Sequence, residues 1–323
     1  MDKKKLSIQK LLAPAALVIL YIFFSIFGRN FFGMDGLKQI LQSCYYIGYM
    51  AFGVTFVIIT GGIDLSLGSN MLCSALIGGV VYKNGVPLAA SLVVALLIGL
   101  CFGVANGLMI AKLKLPPFIA TLGTQMITLG FGSIVSRVQT MYYPTVGSAD
   151  EWFRSLFYIH GNFPSGVLWL LGAFFIAWFL LNKTRFGRYA YAIGSNEEAT
   201  RLSGVKVDRW KISVYAVCGL FTAMAGIFYG AAYTTIMPGK GNGEEMNGIA
   251  AVVIGGTSMA GGSGSMFGTL IGVLIMATLK KGLASVGLQA HWQTFFTGFV
   301  VIGAVLMDIA RNNAALKSAK KAA

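Results

Sequence analysis

The chain has 323 residues, of which 56% are hydrophobic and only 11% are charged, and its mean hydropathy is +0.73. Soluble domains carry about 25% charged residues, so this composition excludes a soluble enzyme and indicates a membrane protein. The net charge of +14 does not indicate nucleic-acid binding, because the Lys and Arg residues lie mostly in short loops and tails.

Apolar stretches in the chain reach the ~20 residues that a helix needs to cross the ~30 Å hydrocarbon core of a bilayer. In chain order they predict ten membrane segments, at residues 11–27, 37–60, 68–82, 87–111, 116–136, 166–181, 212–235, 248–256, 266–283 and 291–309. The third and eighth segments are short, so each is either a full span or a re-entrant segment. The predicted fold class is all-α: a polytopic bundle of transmembrane helices that forms a single domain over residues 1–323.

The distribution of basic residues predicts that both termini lie in the cytoplasm. Four lysines precede the first segment, which we expect to be retained rather than cleaved as a signal peptide, because no A-x-A-like site follows it. Seven Lys and Arg residues against three acids mark residues 183–211 as cytoplasmic, and the C-terminal tail is basic again. The long loop at 137–165 then lies outside, as do Lys280 and Lys281, which depart from the rule.

The cytoplasmic segment at about 184–210 contains one short helix with defined ends. Ser195 and Glu198 fit the capping box S-x-x-E, and Asn196 is a competing N-cap. Gly204 suits the left-handed position that follows a helix C-terminus. A helix of about two turns is marginal alone in water, where about 12–15 residues are needed. It therefore either docks onto a partner or is a capped surface turn.

Asp64 is a carboxylate between apolar segments, and ionisable residues at membrane depth are costly and often functional. The interpretation that we favour is that Asp64 caps a helix starting at Leu65 near the cytoplasmic surface. Uncharged polar side chains on the fourth and fifth segments either hydrogen-bond between helices or line a path for a hydroxyl-rich solute. The candidate path residues are Asp64, Ser66, Asn106, Thr121, Thr124 and Gln125.

Motifs for soluble chemistry are missing from the sequence. It contains no G-x-x-x-x-G-K-[ST] phosphate-binding loop, and His160 and His291 lie far apart without ligand spacing. The four cysteines lie in apolar segments without paired spacing, so we interpret them as core residues and predict neither a disulfide framework nor a zinc site. We expect no catalytic residue, metal or cofactor.

A weak internal repeat pairs two interrupted apolar stretches, VIITGGIDLSLGS from Val57 and VVIGGTSMAGGSGS from Val252. Interrupted hydrophobic segments at corresponding places in two halves of a chain point to a transport site.

Four motifs together resemble the permease subunits of bacterial ATP-binding-cassette monosaccharide importers, with the ribose, galactose and xylose permeases nearest. They are GGIDLSLGS (61–69), PPFIATLGT (116–124), the segment 185–205 and EEMNGIAAVVIGGTSMAGGSGS (244–265). The resemblance covers nearly the whole chain in the same order. The sequence departs from the family at Asn247, where members often carry Asp, and this removes a charge near the outer mouth.

The resemblance implies a permease of the bacterial inner membrane that works with other subunits. Two permease copies or paralogues form the pore, a separate ABC ATPase drives it, and a soluble binding protein delivers a monosaccharide. In that family the turn matching 194–204 docks on the ATPase. Ala199 and Leu202 would enter a groove of the ATPase, with Glu198 and Arg201 at its rim. The candidate coupling residues are Gly194, Asn196, Glu197, Glu198, Ala199, Arg201, Leu202 and Gly204.

Two alternatives remain open at this stage. A related importer for nucleosides or branched-chain amino acids would share the architecture. A secondary transporter would also show repeats and broken helices, but it usually commits acidic residues to ion coupling at the midplane. Asp64 is the one candidate that we identify for that role.

Overall fold

The computed structural model describes residues 3–157 and 164–322, so His160 lies outside the described residues. Within them the chain forms thirteen helices and two short strands. These are α1 (Lys3–Phe27), α2 (Met34–Ile59), α3 (Leu67–Lys83), α4 (Leu88–Ala111), α5 (Pro117–Val135), β1 (Met141–Tyr142), α6 (Trp152–Ser155), α7 (Gly166–Lys183), α8 (Arg185–Ser195), α9 (Glu197–Leu202), α10 (Val207–Tyr233), β2 (Thr235–Ile236), α11 (Glu244–Ile254), α12 (Met266–Ser285) and α13 (Ala290–Ala322).

The all-α polytopic class is confirmed. Each predicted membrane segment corresponds to one helix, and these are α1 to α5, α7 and α10 to α13. Among the described residues, seven helices are long and apolar enough to cross a membrane: α2, α4, α5, α7, α10, α12 and the part His291–Ala310 of α13. The apolar part of α1, Ala13–Phe27, is shorter. Since α3 has 17 residues and α11 has 11, the number of full spans stays a prediction.

Helix α2 is the centre of the bundle. In its apolar window 94% of the residues are buried, against 28% in α4 and 11% in α13. It packs against α7, α10, α11 and α12. Large side chains on several of its faces, including Tyr45, Tyr46 and Ile47, are fully buried. A helix that is hydrophobic all round is buried on all sides, and the sequence of α2 follows this rule.

Helices α4 and α10 approach closely through glycine. Gly99, Gly103 and Gly107 recur every four residues on α4, and a methyl group on Gly103 would overlap the backbone of α10 at Tyr215. Small residues at such spacing let two backbones come together in membrane proteins.

Three of the four cysteines lie in the core as predicted, but Cys101 on α4 is exposed. It sits on the face of α4 away from this contact, so the prediction was wrong for that residue.

The long loop at 137–165 is hydrogen-bonded to the bundle where the structure describes it. β1 pairs antiparallel with β2, with Met141 opposite Ile236. The Tyr143 hydroxyl donates to the carbonyl oxygen of Ala75 on α3 at 2.8 Å. Arg154, on the four-residue α6, donates to the carbonyl oxygen of Ala232 on α10 at 3.2 Å. The loop therefore packs against α3 and the C-terminal end of α10.

Candidate functional site

The first candidate site is the elbow formed by α8 and α9. Asn196 separates the two helices with an extended backbone, at a φ of −162°, and its side-chain oxygen accepts the N–H of Ala199 at 2.9 Å. Asn196 is therefore the N-cap of α9. Ser195 is the last residue of α8, and its helical backbone excludes it from capping the next helix. Of the two alternatives that the sequence left open, the structure selects Asn196.

Helix α9 also ends as the sequence predicts. It covers Glu197–Leu202, and Gly204 has a φ of +84°. The N–H of Gly204 donates to the carbonyl oxygen of Arg201 at 3.0 Å. Only glycine enters this left-handed conformation without a steric cost. The elbow therefore has a defined start and stop on a helix of six residues.

The outward face of α9 is exposed and carries one large apolar side chain. Glu198 and Ala199 are exposed. Leu202 is 88% exposed, the highest value among the large hydrophobic side chains that the structure describes. Thr200 lies on the opposite face and is buried. An exposed leucine on a charged helix is a suitable anchor for a groove in another protein.

The inward side of the elbow rests on a cluster of backbone contacts, the glycine joint, formed by Ile59, Gly61, Gly194, Gly261 and Gly262. The N–H of Gly262 donates to the carbonyl oxygen of Ile59 at the end of α2, at 2.8 Å. A methyl group on Gly194 would overlap the same oxygen, and a methyl group on Gly261, which has a φ of +84°, would lie 3.0 Å from the carbonyl oxygen of Gly194. The joint brings together the two stretches of the internal repeat and the elbow.

Two side chains extend the glycine joint to other helices. The Tyr191 hydroxyl on α8 donates to the carbonyl oxygen of Gly264 at 2.9 Å. Asp308 on α13 accepts the N–H of Met259 at 3.0 Å and the hydroxyl of Ser258 at 3.2 Å. Sequence reasoning missed Asp308, although a carboxylate within an apolar segment was a signal to follow. The elbow is thus connected through the glycine-rich loop to α2 and α13.

The second candidate site is a chain of hydrogen bonds inside the bundle. The Ser66 hydroxyl donates to Asp64 at 2.6 Å, the Asn106 amide donates to Ser66 at 3.0 Å, and the Thr124 hydroxyl donates to Asn106 at 2.5 Å. Four of the candidate path residues therefore meet and join the α2–α3 turn, α4 and α5. Thr121 lies apart, because its hydroxyl donates to the carbonyl oxygen of Pro117 in its own helix at 2.8 Å.

Asp64 is enclosed by the bundle, whereas the sequence predicts a cap near the cytoplasmic surface. Its side chain is buried, and its carboxylate also accepts the N–H of Ser66 at 2.9 Å. Helix α3 begins at Leu67, with Ser66 in the N-cap position, rather than at Leu65. Asp64 therefore stabilises the turn that leads into α3. Asn106 lies five residues from the end of α4, a distance of about 8 Å along the helix, so the chain of hydrogen bonds lies within the bundle.

A third group of polar residues surrounds the first turn of α11. Glu244 forms an ion pair with Lys280 of α12 at 3.1 Å, and the Lys280 ammonium donates to the Tyr46 hydroxyl at 2.6 Å. Asn247 donates to Glu244 at 2.8 Å. An ion pair is therefore present near the position where the sequence departs from the family, and Asn247 supports it. Lys280, which the predicted topology places outside against the positive-inside rule, is paired with an acid in this group.

Glu245 is the most enclosed acid of that group. It is 3% exposed, accepts the N–H of Gly243 at 3.0 Å and accepts the amide of Gln125 on α5 at 3.1 Å. Gln125 is the remaining candidate path residue, so it belongs to this group and not to the chain around Asn106. Sequence reasoning missed Glu244, Glu245 and Lys280 as functional residues, because their partners lie far away along the chain.

We expect Gly194→Ala to displace α8 from the end of α2. The added methyl group meets the backbone of Ile59 and Gly262, which cannot move aside as a side chain does. Overpacking of this kind costs about 1–3 kcal/mol. In purified protein, trypsin should cleave residues 184–210 faster than in the parent chain. Gly123→Ala is the matched control, because no atom lies within 4 Å of a Cβ at that helical position. Equal cleavage of the two variants would contradict the tight joint.

We expect Lys280→Met to lower the thermal stability of the purified protein, because Glu244 is left without its cation. The two side chains are partly exposed, so we expect a loss of about 1–3 kcal/mol. The double variant Lys280→Met/Glu244→Gln should recover most of it, since no unpaired charge remains. Lys281→Met is the control, because Lys281 bonds the uncharged Gln39. A double variant as unstable as Lys280→Met would show that the ion pair is not the cause.

Comparison with known proteins identifies the family. The chain matches the family described as branched-chain amino acid transport system / permease component over residues 36–305. It is 41% identical over 304 residues to the ribose import permease protein of Bacillus subtilis (strain 168), covering 93% of this chain and 92% of that protein. It is 38% identical over 301 residues to the ribose import permease protein of Escherichia coli (strain K12), covering 91% of each.

A solved structure supports the same fold. It is described as an inward-facing conformation of a metal-chelate type ABC transporter, with a TM-score of 0.51 and 16% sequence identity, covering 91% of this chain and 99% of that chain. The match to the family over residues 36–305 and the two relatives above 30% identity agree with the polytopic bundle. The chain therefore belongs to the branched-chain amino acid transport system / permease component family.

Proposed function

We propose that the chain is the membrane-spanning permease subunit of an importer that carries a monosaccharide across the bacterial inner membrane. The observation that carries the proposal is the similarity, over more than nine-tenths of the chain, to two ribose import permeases. ATP hydrolysis belongs to a separate ATPase, and a soluble binding protein delivers the sugar. The sequence agrees with an ATPase on a separate subunit, because it lacks a phosphate-binding loop of the Walker type.

The family description names branched-chain amino acids, so solute class is the first property to test. The parent chain is reconstituted in liposomes with its ATPase and binding protein, and uptake of radiolabelled ribose, xylose, galactose, fructose, leucine and uridine is measured. We expect ATP-dependent uptake of at least one of the four sugars and none of leucine or uridine. Uptake of leucine or uridine without uptake of any sugar would contradict the monosaccharide proposal.

The proposed docking surface for the ATPase is the outward face of α9. Ala199 and Leu202 are exposed on it, and Glu198 lies beside them. Asn196 and Gly204 define the ends of the helix. The remaining candidates make contacts within this chain: Gly194 belongs to the glycine joint, and Arg201 bonds Glu197 at 3.3 Å and Asp208 at 2.9 Å. We propose that the residues on the outward face bind the ATPase and that those with contacts within the chain transmit its movement.

Import then requires that ATP binding changes which side of the membrane the pore opens to. A ligand shifts such an equilibrium only by its different affinity for the two states. The ATPase subunits approach each other when they bind ATP, and they displace the two copies of α9 with them. Through the glycine joint this displacement reaches the cytoplasmic end of α2, the central helix of the bundle.

We expect Ala199→Asp to abolish uptake and co-purification of the ATPase, because it buries an unpaired charge against the partner. Membrane abundance should equal that of the parent chain, since Ala199 is exposed and has no role in the bundle core. The matched control is the same substitution at Ala89, which is exposed in the first turn of α4. If Ala199→Asp shows normal uptake and retains the ATPase, α9 is only a surface turn and does not dock on the ATPase.

The pore is proposed to form between two permease copies, with both termini of each in the cytoplasm and ten membrane segments. We place the second copy against the apolar face of α5, where Ile119, Met126, Ile127 and Ile134 are all more than half exposed. Its other face carries the polar residues that bond α3, α4 and α11. The length of α11 supports a re-entrant segment, because 11 residues of helix extend about 16 Å.

A further inference from the structure

One carboxylate connects the elbow to the loop between α4 and α5. Asp208 lies in the first turn of α10, and its Oδ1 accepts from Arg201 of α9 at 2.9 Å and from Lys114 of the loop at 3.2 Å. The Lys112 ammonium lies 3.8 Å from its other oxygen. Three cations from two separate segments of the chain therefore surround a single carboxylate, whose side chain is 23% exposed.

Towards the elbow, the ion pairs that begin at Asp208 continue along α9. The Arg201 guanidinium also bonds Glu197 in the first turn of that helix, at 3.3 Å. Glu197 in turn bonds Lys211 of α10 at 2.5 Å. Although partial burial acts to raise it, the bonds from Lys211 and Arg201 hold the pKa of Glu197 below its ordinary value. Helix α9 and the start of α10 are thus held together at both ends of α9.

Towards the α4–α5 loop, the ion pairs of Asp208 end at Lys114, whose backbone conformation is restrained. Lys114 has a φ of +58°, a left-handed conformation that is uncommon for residues other than glycine. Such a conformation persists where the surrounding structure holds it in place. Two prolines follow, and Pro117 is the first residue of α5. A displacement of Lys114 is therefore passed along a stiff connection to α5.

We propose that Asp208 is a positioning residue that couples a displacement of α9 to the α4–α5 loop and so to α5. The proposal rests on the proposed docking of the ATPase on α9, and it adds a second route beside the glycine joint. The glycine joint leads to α2, whereas Asp208 leads to the helix that carries Thr124 and Gln125. It also gives Arg201 a role within this chain instead of at the rim of the ATPase groove.

The charge arrangement explains why one residue has this effect. Ion pairs between exposed groups contribute little to stability, and the three cations around Asp208 are all exposed, so Asp208 adds little to the stability of the fold. Its removal, however, leaves Lys112 and Lys114 close to Arg201 without the carboxylate between them, and the three cations repel each other. The loop and α9 would then separate instead of moving together. The predicted defect is therefore in coupling and not in folding.

The test is the amount of sugar imported per ATP hydrolysed. Liposomes contain the permease, the ATPase and the binding protein, and the probe is the sugar of the panel that the parent chain transports fastest. We expect Asp208→Asn to lower this ratio about fivefold or more, a factor typical of coupling between two sites. ATP hydrolysis and co-purification of the ATPase should persist, and Asp208→Glu should retain the parent ratio. Asp35→Asn is the matched control, because Asp35 pairs with Lys38 of its own helix.

An unchanged ratio in Asp208→Asn overturns the proposal, and so does an equal loss of import and hydrolysis. If Asp208→Asn is not inserted into the membrane, the double variant Lys112→Gln/Lys114→Gln removes the loop side of the same contact and carries the same expectation. A parent ratio in that variant also overturns the proposal. Docking on α9 is judged separately, because Ala199→Asp reports on retention of the ATPase and not on the ratio.

Discussion

A polar group that is buried in a bilayer must find its partner inside the protein, because lipid offers none. Helix α5 shows how far this constraint determines the bundle. Thr124 bonds Asn106 of α4, Gln125 bonds Glu245 of α11, and the Thr128 hydroxyl bonds Ser69 of α3 at 2.7 Å. The three bonds fix the rotation of α5 about its own axis and leave its apolar face outward.

The same bonds set a condition on transport. Each buried donor or acceptor that loses its partner costs about 1–3 kcal/mol. An opening that parts α5 from α4 and α11 must therefore supply new partners to Asn106, Gln125 and Glu245 as it breaks the old ones. A solute with several hydroxyl groups offers donors and acceptors of the required kind, which agrees with the proposed monosaccharide.

The sequence predicted the helices well, but it predicted few of the contacts between them. The ends of α9 followed from Asn196 and Gly204, because caps and stops depend on a few neighbouring residues. Contacts between distant residues leave no local signal, so the partnership of Lys280 with Glu244 and the burial of Glu245 stayed hidden. The candidate path stays a prediction, and its residues divide between two groups, because Gln125 faces α11 while Thr124 faces α4.

The glycine joint is made of backbone atoms, and this separates two kinds of constraint on the elbow. The inward side needs glycine at Gly194, Gly261 and Gly262, whatever protein lies on the other side. The outward side consists of side chains such as Ala199 and Leu202, which can change without disturbing the joint. With the ATPase docked on α9 as proposed, a permease built in this way would exchange one motor subunit for another by substitutions on a single turn of helix. Under that proposal, modular pairing of permeases with motors follows from the backbone geometry of the elbow.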